Sequence, residues 1–305
     1  MRVASVIDLG ENSTVPPHRR VILDTDIGSD VDDALALALL LGSPTARLIG
    51  ITTVYGDTVL RARLAARVAG SAGWTGPVHA GRAETLSGKE VWWAGHEGAL
   101  YDDLDAERVA SENAVQYLID QVAAAPGAID VVAIGPLTNI ATAISADERF
   151  AGSVRHLYVM GGAFGDDEPE HNFRSDVAAA RIVFAAGIPT TVAALEITRQ
   201  VRIEQESLDR IAAAGELGRI LLAEIEQWWR YWDATWNVPH DPVTVLTMTE
   251  PELFTYSAPG RISVADDGTS ILHEGEGTTR IVTALDGNAV ADRIVDGVVR
   301  AGRAG

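Results

Sequence analysis

The sequence predicts an α/β protein with a single large, doubly wound, mainly parallel sheet flanked by helices and a mainly helical C-terminal portion. Three observations point there. Short β-rich runs alternate with Ala-rich segments of helical period through residue 194. The runs are continuously apolar, as strands covered on both faces of a parallel sheet are. Acidic and Gly-rich segments follow the runs, at the carboxyl ends of the strands, where such sheets bind ligands.

The elements follow in order. Val21-Ile22-Leu23 reads as the first strand. Residues 32–41 read as a helix, because Asp32 and Asp33 favour the positive end of its dipole and Ala and Leu fill the turns behind them. Residues 48–53 form the second strand, bounded by Tyr55-Gly56-Asp57, and 60–69 the helix after it. A helix over 111–124, a strand over 129–134 ending at Gly135-Pro136, a helix over 137–144 and a strand over 156–160 ending at Gly161-Gly162 continue the pattern. The helix over 177–185 and the strand over 190–194 complete it. Beyond Leu195, residues 207–236 are mainly helical, Ala265-Asp266-Asp267-Gly268-Thr269 reads as a hairpin turn, and 289–300 form a terminal helix.

With 305 residues and 47% hydrophobic content, the chain can bury a large core, and it reads as one domain over 1–305 with a flexible N-terminal extension over 1–19. A net charge of -19 speaks against nucleic acid or an anionic membrane as partner, since phosphates are bound by surplus Lys and Arg. There is no cysteine, so disulfides, thiolate metal sites and cysteine nucleophiles are excluded together. The longest apolar stretch, 34–41, is too short to span a bilayer, and the residues before Val21 carry no apolar signal core. A cytoplasmic location is the expectation.

Within residues 21–34 lie five carboxylates, Asp24, Asp26, Asp30, Asp32 and Asp33. Capping of the following helix accounts for one or two of them. Five like charges so close repel one another unless a cation neutralises them, which points to a hard metal ion.

Asp24-Thr25-Asp26-Ile27-Gly28, followed by Asp32-Asp33-Ala34-Leu35-Ala36-Leu37, resembles the signature of the inosine/uridine-preferring nucleoside hydrolases, calcium-dependent N-ribohydrolases. Further segments are similar to that family in the same order. These are Ile51 to Asp57, Ile134-Gly135-Pro136-Leu137-Thr138-Asn139, Val159 to Phe164 with Glu170-His171-Asn172-Phe173-Arg174-Ser175-Asp176, and His240-Asp241-Pro242. The resemblance implies Ca²⁺ held by Asp26, Asp33, Asp241 and the Ile134 carbonyl, with Asp24 behind them or bound through water. It implies Asp26 as general base for a calcium-bound water, and Glu170 and Asn172 on the ribose. Met160 would line the pocket, and His240 would lie near the sugar hydroxyls or the departing base. A small-molecule ribonucleoside as ligand and a homodimer or homotetramer as assembly belong to the same expectation.

The chain departs from the family pattern in places. The acidic turn is two residues longer than the common form, so the ribose-binding acid is Asp32 or Asp30, with Asp32 preferred because it keeps the doublet intact. Asp57 stands in the substrate-facing loop where Asn is frequent, and the segment between Gly162 and Glu170 lacks an asparagine.

Seven tryptophans cluster at Trp92-Trp93 and at Trp228, Trp229, Trp232 and Trp236. The spacing of Trp229, Trp232 and Trp236 fits a buried helix face. Trp92 or Trp93, in a Gly-flanked loop, is the expected stacking partner for the base. His171 is expected to turn away from Glu170 and Asn172 in an extended segment. Two rival readings remain. An Asp-x-Asp after a strand also suits a magnesium-dependent phosphohydrolase, although Lys89 is the only obvious lysine for it. A calcium-dependent nucleoside-binding protein without turnover is the other.

Overall fold

The computed structural model describes residues 18–165 and 168–304. The extension expected over 1–19 lies outside the described residues up to residue 17, and Arg19 already belongs to the first strand. Residues 166 and 167, in the segment before Glu170, also lie outside them.

The first half of the chain runs β1 (Arg19–Thr25), α1 (Asp32–Leu41), β2 (Ala46–Thr53), α2 (Thr58–Ser71), β3 (Val78–Ala80), α3 (Ala114–Ala124), β4 (Ile129–Ala133), α4 (Thr138–Ala146), α5 (Phe150–Ser153) and β5 (His156–Met160). There follow α6 (His171–Ser175), α7 (Val177–Ala185), β6 (Thr190–Ala193), α8 (Leu195–Thr198), β7 (Ile203–Glu204), α9 (Gln205–Ala212), α10 (Gly215–Trp232) and β8 (Trp236–Asn237). The chain closes with α11 (His240–Thr249), β9 (Phe254–Tyr256), β10 (Gly260–Val264), β11 (Ser270–Glu274), β12 (Thr279–Leu285) and α12 (Gly287–Ala304).

Parallel strands stand in the order β3-β2-β1-β4-β5-β6-β12. Antiparallel β10 and β11 extend the sheet beyond β12, and β9 pairs with β12 as well. Successive residues of a strand face opposite sides, so each strand feeds two cores. Val21, Leu23, Val132 and Tyr158 join the core under α1, α2, α10, α11 and α12, while Ile22, Val131, Leu157 and Val159 join the core under α3, α4 and α7. This two-sided burial is why the runs read as continuously apolar.

The hairpin turn at 265–269 joins β10 to β11 as expected, but the C-terminal portion returns to the sheet more fully than its sequence suggests. Arg280 interrupts the apolar run of β12, and its guanidinium rests 4.0 Å from the centre of the Tyr256 ring. α11 was not foreseen either. Its Val and Thr residues favour a strand, and burial against α1, β5 and β6 overrides that local preference.

The long segment between β3 and α3 is tied down by carboxylates. Asp176, the N-cap of α7, accepts from Leu86 N (2.7 Å), Ser87 N (3.0 Å), Ser87 Oγ (2.8 Å) and Thr138 Oγ1 (2.7 Å). Glu224 of α10 accepts from Tyr101 Oη at 2.7 Å. Burial pushes the Glu224 carboxyl up to about 7 against the opposing pull of the Tyr101 hydrogen bond. A folded pKa above the unfolded value of 4.5 means that stability is full below about pH 4.5 and is lost as the pH rises through 7. Glu224→Gln keeps an acceptor for Tyr101 without the charge. It is expected to stabilise the protein by roughly 3 kcal/mol at pH 8 and by nothing at pH 4.5, as read from urea unfolding at the two pH values.

Candidate active site

Strand order reverses between β1 and β4, so the loops leaving their carboxyl ends diverge to opposite faces and open a crevice. Asp26 lies just past β1, and Ile134 just past β4, joined by the hydrogen bond from Ile134 N to the Asp24 carbonyl (2.9 Å). A cavity of about 780 Å³ opens there. Gly135 permits the closeness of the two loops, since a Cβ on it would stand 2.6 Å from Asp26 Oδ1. The carboxylate of Asp26 therefore lies beside the backbone that carries the Ile134 carbonyl.

Two helices aim their N-termini at the same point. α1 begins at Asp32 and α11 at His240, and the two pack on each other along their length. Their dipoles favour the acids of their first turns, Asp32, Asp33 and Asp241. One carboxylate oxygen from each of these three lies within 4.8 Å of the others, and all three residues are buried. Asp26 and Asp30 line the same cavity. Burial, reinforced by mutual repulsion, pushes Asp32, Asp33 and Asp241 well above the usual carboxylate range, and burial raises Asp26 as well. An all-oxygen donor set under this repulsion fits a hard divalent cation. Thr25 Oγ1 donates to Asp33 and fixes its rotamer.

Asp24 does not line the cavity. It is fully buried, accepts from Thr52 Oγ1 (2.5 Å) and Asn139 Nδ2 (2.7 Å), and burial pushes it up to about 7. Its bonds to Thr52 and Asn139 turn it toward β2 and α4 instead of the cavity, so it fixes the ends of β1 and β2 and the start of α4 from behind.

The opposite wall holds Met160, Glu170, His171 and Asn172. Glu170 caps α6, accepting from Gly162 N (3.0 Å), Asn172 N (2.7 Å) and Phe173 N (3.0 Å), so its carboxylate is locked while facing the cavity. Burial raises its pKa against the pull of these bonds. Asn172 Nδ2 donates to the carbonyls of Ile134 (2.9 Å) and Met160 (3.3 Å). Because 171–175 is helical and not extended, His171 does not turn away from its neighbours. It lines the cavity too, edge-on to Tyr55 (5.9 Å) and Trp92 (5.7 Å).

His240 lines the cavity with Nδ1 2.6 Å from Thr198 Oγ1. Burial and the nearby Arg199 guanidinium push it down to about 4, so it is neutral at physiological pH.

The aromatic residues divide. Trp92 lines the cavity and is 40% exposed, whereas Trp93 does not line it and lies over the Arg61 guanidinium at 4.8 Å and against Gly56. Asp57 is also outside the cavity, since its Oδ1 accepts from Leu60 N (2.9 Å) and caps α2. Trp229, Trp232 and Trp236 do not share a face. α10 stops at Asp233, whose φ of 50° turns the chain, leaving Trp229 buried on Asn237 and Trp236 over Arg202 in β8. Trp228 and Trp232, four apart, are the pair that lines the cavity. Reasoning from the sequence also missed Tyr55, Arg61, Lys89, Arg174 and Arg199 in its lining. Tyr55 had a signal in its position next to Gly56-Asp57; the others had none.

A buried acidic centre at the switch point of a doubly wound sheet, opening into a cavity rimmed by aromatic rings, defines an α/β enzyme site able to hold a metal ion. The chain belongs to the inosine-uridine preferring nucleoside hydrolase family, whose model matches residues 21–292. It is 32% identical over 287 residues to probable uridine nucleosidase 1 of Oryza sativa subsp. japonica, covering 87% of this chain and 86% of that protein. It is 30% identical over 277 residues to uridine nucleosidase 1 of Arabidopsis thaliana, covering 84% and 81%. The solved structure of a plant nucleoside hydrolase, the PpNRh1 enzyme, superposes with a TM-score of 0.83 at 28% identity, over 93% of this chain and 99% of that one. The protein is thus a nucleoside hydrolase, an enzyme that hydrolyses the N-glycosidic bond of ribonucleosides.

The contrast between the neighbouring tryptophans can be measured. Trp93→Ala is expected to lower stability by about 2 kcal/mol, because it uncovers the buried Arg61. Trp92→Ala should leave the melting temperature nearly unchanged and raise KM for the nucleoside.

Proposed function

We propose that the enzyme releases the base of a ribonucleoside with calcium held by Asp26, Asp33, Asp241 and the Ile134 carbonyl. The observation that supports this most is the convergence of buried carboxylates at one end of the cavity, with Asp26 beside the Ile134 backbone. Calcium, when bound, supplies a positive charge that holds water and sugar hydroxyls and makes them more acidic.

The residues of the chain do the rest. Asp26 accepts the proton of the attacking water. Asp32 accepts from a ribose hydroxyl, with Asp30 on the longer turn as the second acid within the same cavity. Glu170, immobilised by its backbone hydrogen bonds, accepts from another hydroxyl through its remaining lone pairs. Asn172 offers its amide oxygen, since its Nδ2 is committed to Ile134 and Met160. Together these contacts orient the sugar, and the carboxylates favour the positive charge that grows on it as the bond to the base lengthens.

The departing base lies toward Trp92 on one side and Trp228 and Trp232 on the other, rings matched in shape to a nucleobase. His240 is neutral in its dry setting, and with Nδ1 accepting from Thr198 Oγ1 its Nε2–H is the donor to the leaving group. The uridine nucleosidases among the relatives make uridine the first substrate to assay.

The purified enzyme is expected to release base and ribose from ribonucleosides, to lose that activity to a calcium chelator and to regain it with calcium. It should be at least tenfold slower on 2′-deoxyribonucleosides. Asp26→Asn should lower kcat by about 10²–10⁴-fold. No base release from any member of a purine and pyrimidine panel would refute the reading. Phosphate release from a phosphomonoester would favour the phosphohydrolase alternative instead.

A further inference from the structure

We propose that Arg61 is the positioning residue of the acidic turn, holding the backbone of residues 26–29 so that the Asp26 carboxylate is aimed into the cavity. This rests on the reading of Asp26 as a working residue of the site. α2 places Arg61 beneath the turn, with 1% of the residue exposed. Its Nε donates to the Tyr55 carbonyl at 2.7 Å, its Nη1 to the carbonyls of Asp26 and Ile27, the latter at 2.8 Å, and its Nη2 to Ser29 Oγ at 3.3 Å. One planar fork thus joins the loop after β1 to the loop after β2, and Trp93 covers it with its ring centre 4.8 Å from the guanidinium carbon.

The loop facing the turn needs an anchor of this kind: Tyr55, a side-chain-bearing residue, has φ 71°, a conformation that persists only where its surroundings hold it, whereas Gly28 takes its φ of +117° without strain. The carbonyls of Asp26, Ile27 and Tyr55 are turned toward the buried guanidinium and supply acceptors for its donors. Its positive charge also opposes the repulsion in the cluster, lowering the pKa of Asp26 and Asp33 against the larger upward push of burial.

A second grip on the turn comes from the 94–97 loop, and it is confined to Ser29. Ser29 Oγ donates to Glu97 (2.7 Å), the Ser29 carbonyl lies 2.8 Å from His96 Nε2, and Glu97 is itself held by Ala94 N and Gly95 N (both 2.8 Å). That grip lies three residues beyond Asp26. Arg61 holds the Asp26 peptide itself at its carbonyl, where the only other bond to that peptide among the described residues is the local one from Ile27 N to Thr25 Oγ1 (3.2 Å). A displacement of about 1 Å at a reacting carboxylate is enough to cost about 10²-fold in rate.

The test uses Arg61→Met and Arg61→Lys in the full chain. Backbone hydrogen exchange of the metal-free proteins should quicken at least tenfold over residues 24–31 and stay at the wild-type rate in β4 and β5. With uridine and calcium, kcat should fall at least 100-fold while KM stays within threefold. Lysine should rescue neither readout, because an ammonium cannot span acceptors on two loops. Should Arg61→Met not fold, Trp93→Leu decides the matter by uncovering the guanidinium, with faster exchange over 24–31 expected. Wild-type exchange over 24–31, or a kcat within threefold of wild type in a folded Arg61 variant, would overturn the proposal. Wild-type protein without hydrolytic activity would overturn the function proposed for Asp26, while the exchange data would still report whether Arg61 holds the turn.

Discussion

Mutual repulsion among the buried carboxylates is the constraint on which the rest of the site depends. Asp32, Asp33 and Asp241 bring oxygens within 4.8 Å of one another where little water screens them, with Asp26 and Asp30 facing the same space. At such distances two unit charges repel by several kcal/mol even at an effective dielectric near 20. The fold opposes this with the positive ends of two helices, with the Arg61 guanidinium and with the Thr25 hydroxyl that donates to Asp33. These counter-charges are partial or remote. The affinity of the site for a cation is the other side of the same unfavourable field.

The sheet explains why the acids meet. Residues far apart in sequence, such as Asp26, Ile134 and Asp241, come together because β1 and β4 are neighbours from which the chain departs in opposite directions, and α11 packs back on α1. Asp24 and Gly135 are part of this arrangement without entering the cavity chemistry. Asp24 fastens the strand ends through Thr52 and Asn139, and Gly135 leaves room for the Asp26 carboxylate. The aromatic rim is built separately, from the loop that carries Trp92 and the helix that carries Trp228 and Trp232. Tyr101 and Glu224 connect these two elements.

Much of the fold was legible because burial on both faces leaves a plain trace, an unbroken apolar run such as 21–23 or 157–160. β12 and α11 escaped because tertiary packing there overrides local composition: Arg280 interrupts the strand, and β-branched residues fill the helix. The acidic turn, Glu170, Asn172 and Asp241 stood out through charge spacing and the resemblance. Side-chain direction was the harder part. Asp57 stands two residues from Tyr55 and Trp93 next to Trp92, both cavity residues, yet one caps a helix and the other covers a guanidinium, outcomes decided by a small rotation along the chain. His171 was misread because a short helix replaced the expected extended segment. Arg61 carried no recognisable motif, since its partners are backbone carbonyls, which sequence does not reveal.

The most direct measurement is a calorimetric calcium titration of the metal-free protein beside its Asp241→Asn variant, with circular dichroism confirming that both are folded. The account predicts saturable binding at one site per chain in the wild type and at least 100-fold weaker binding in the variant, which loses one charge of the converging set. A wild-type protein that binds no calcium, or a variant that binds it equally well, would contradict the claim that this cluster exists to hold the ion.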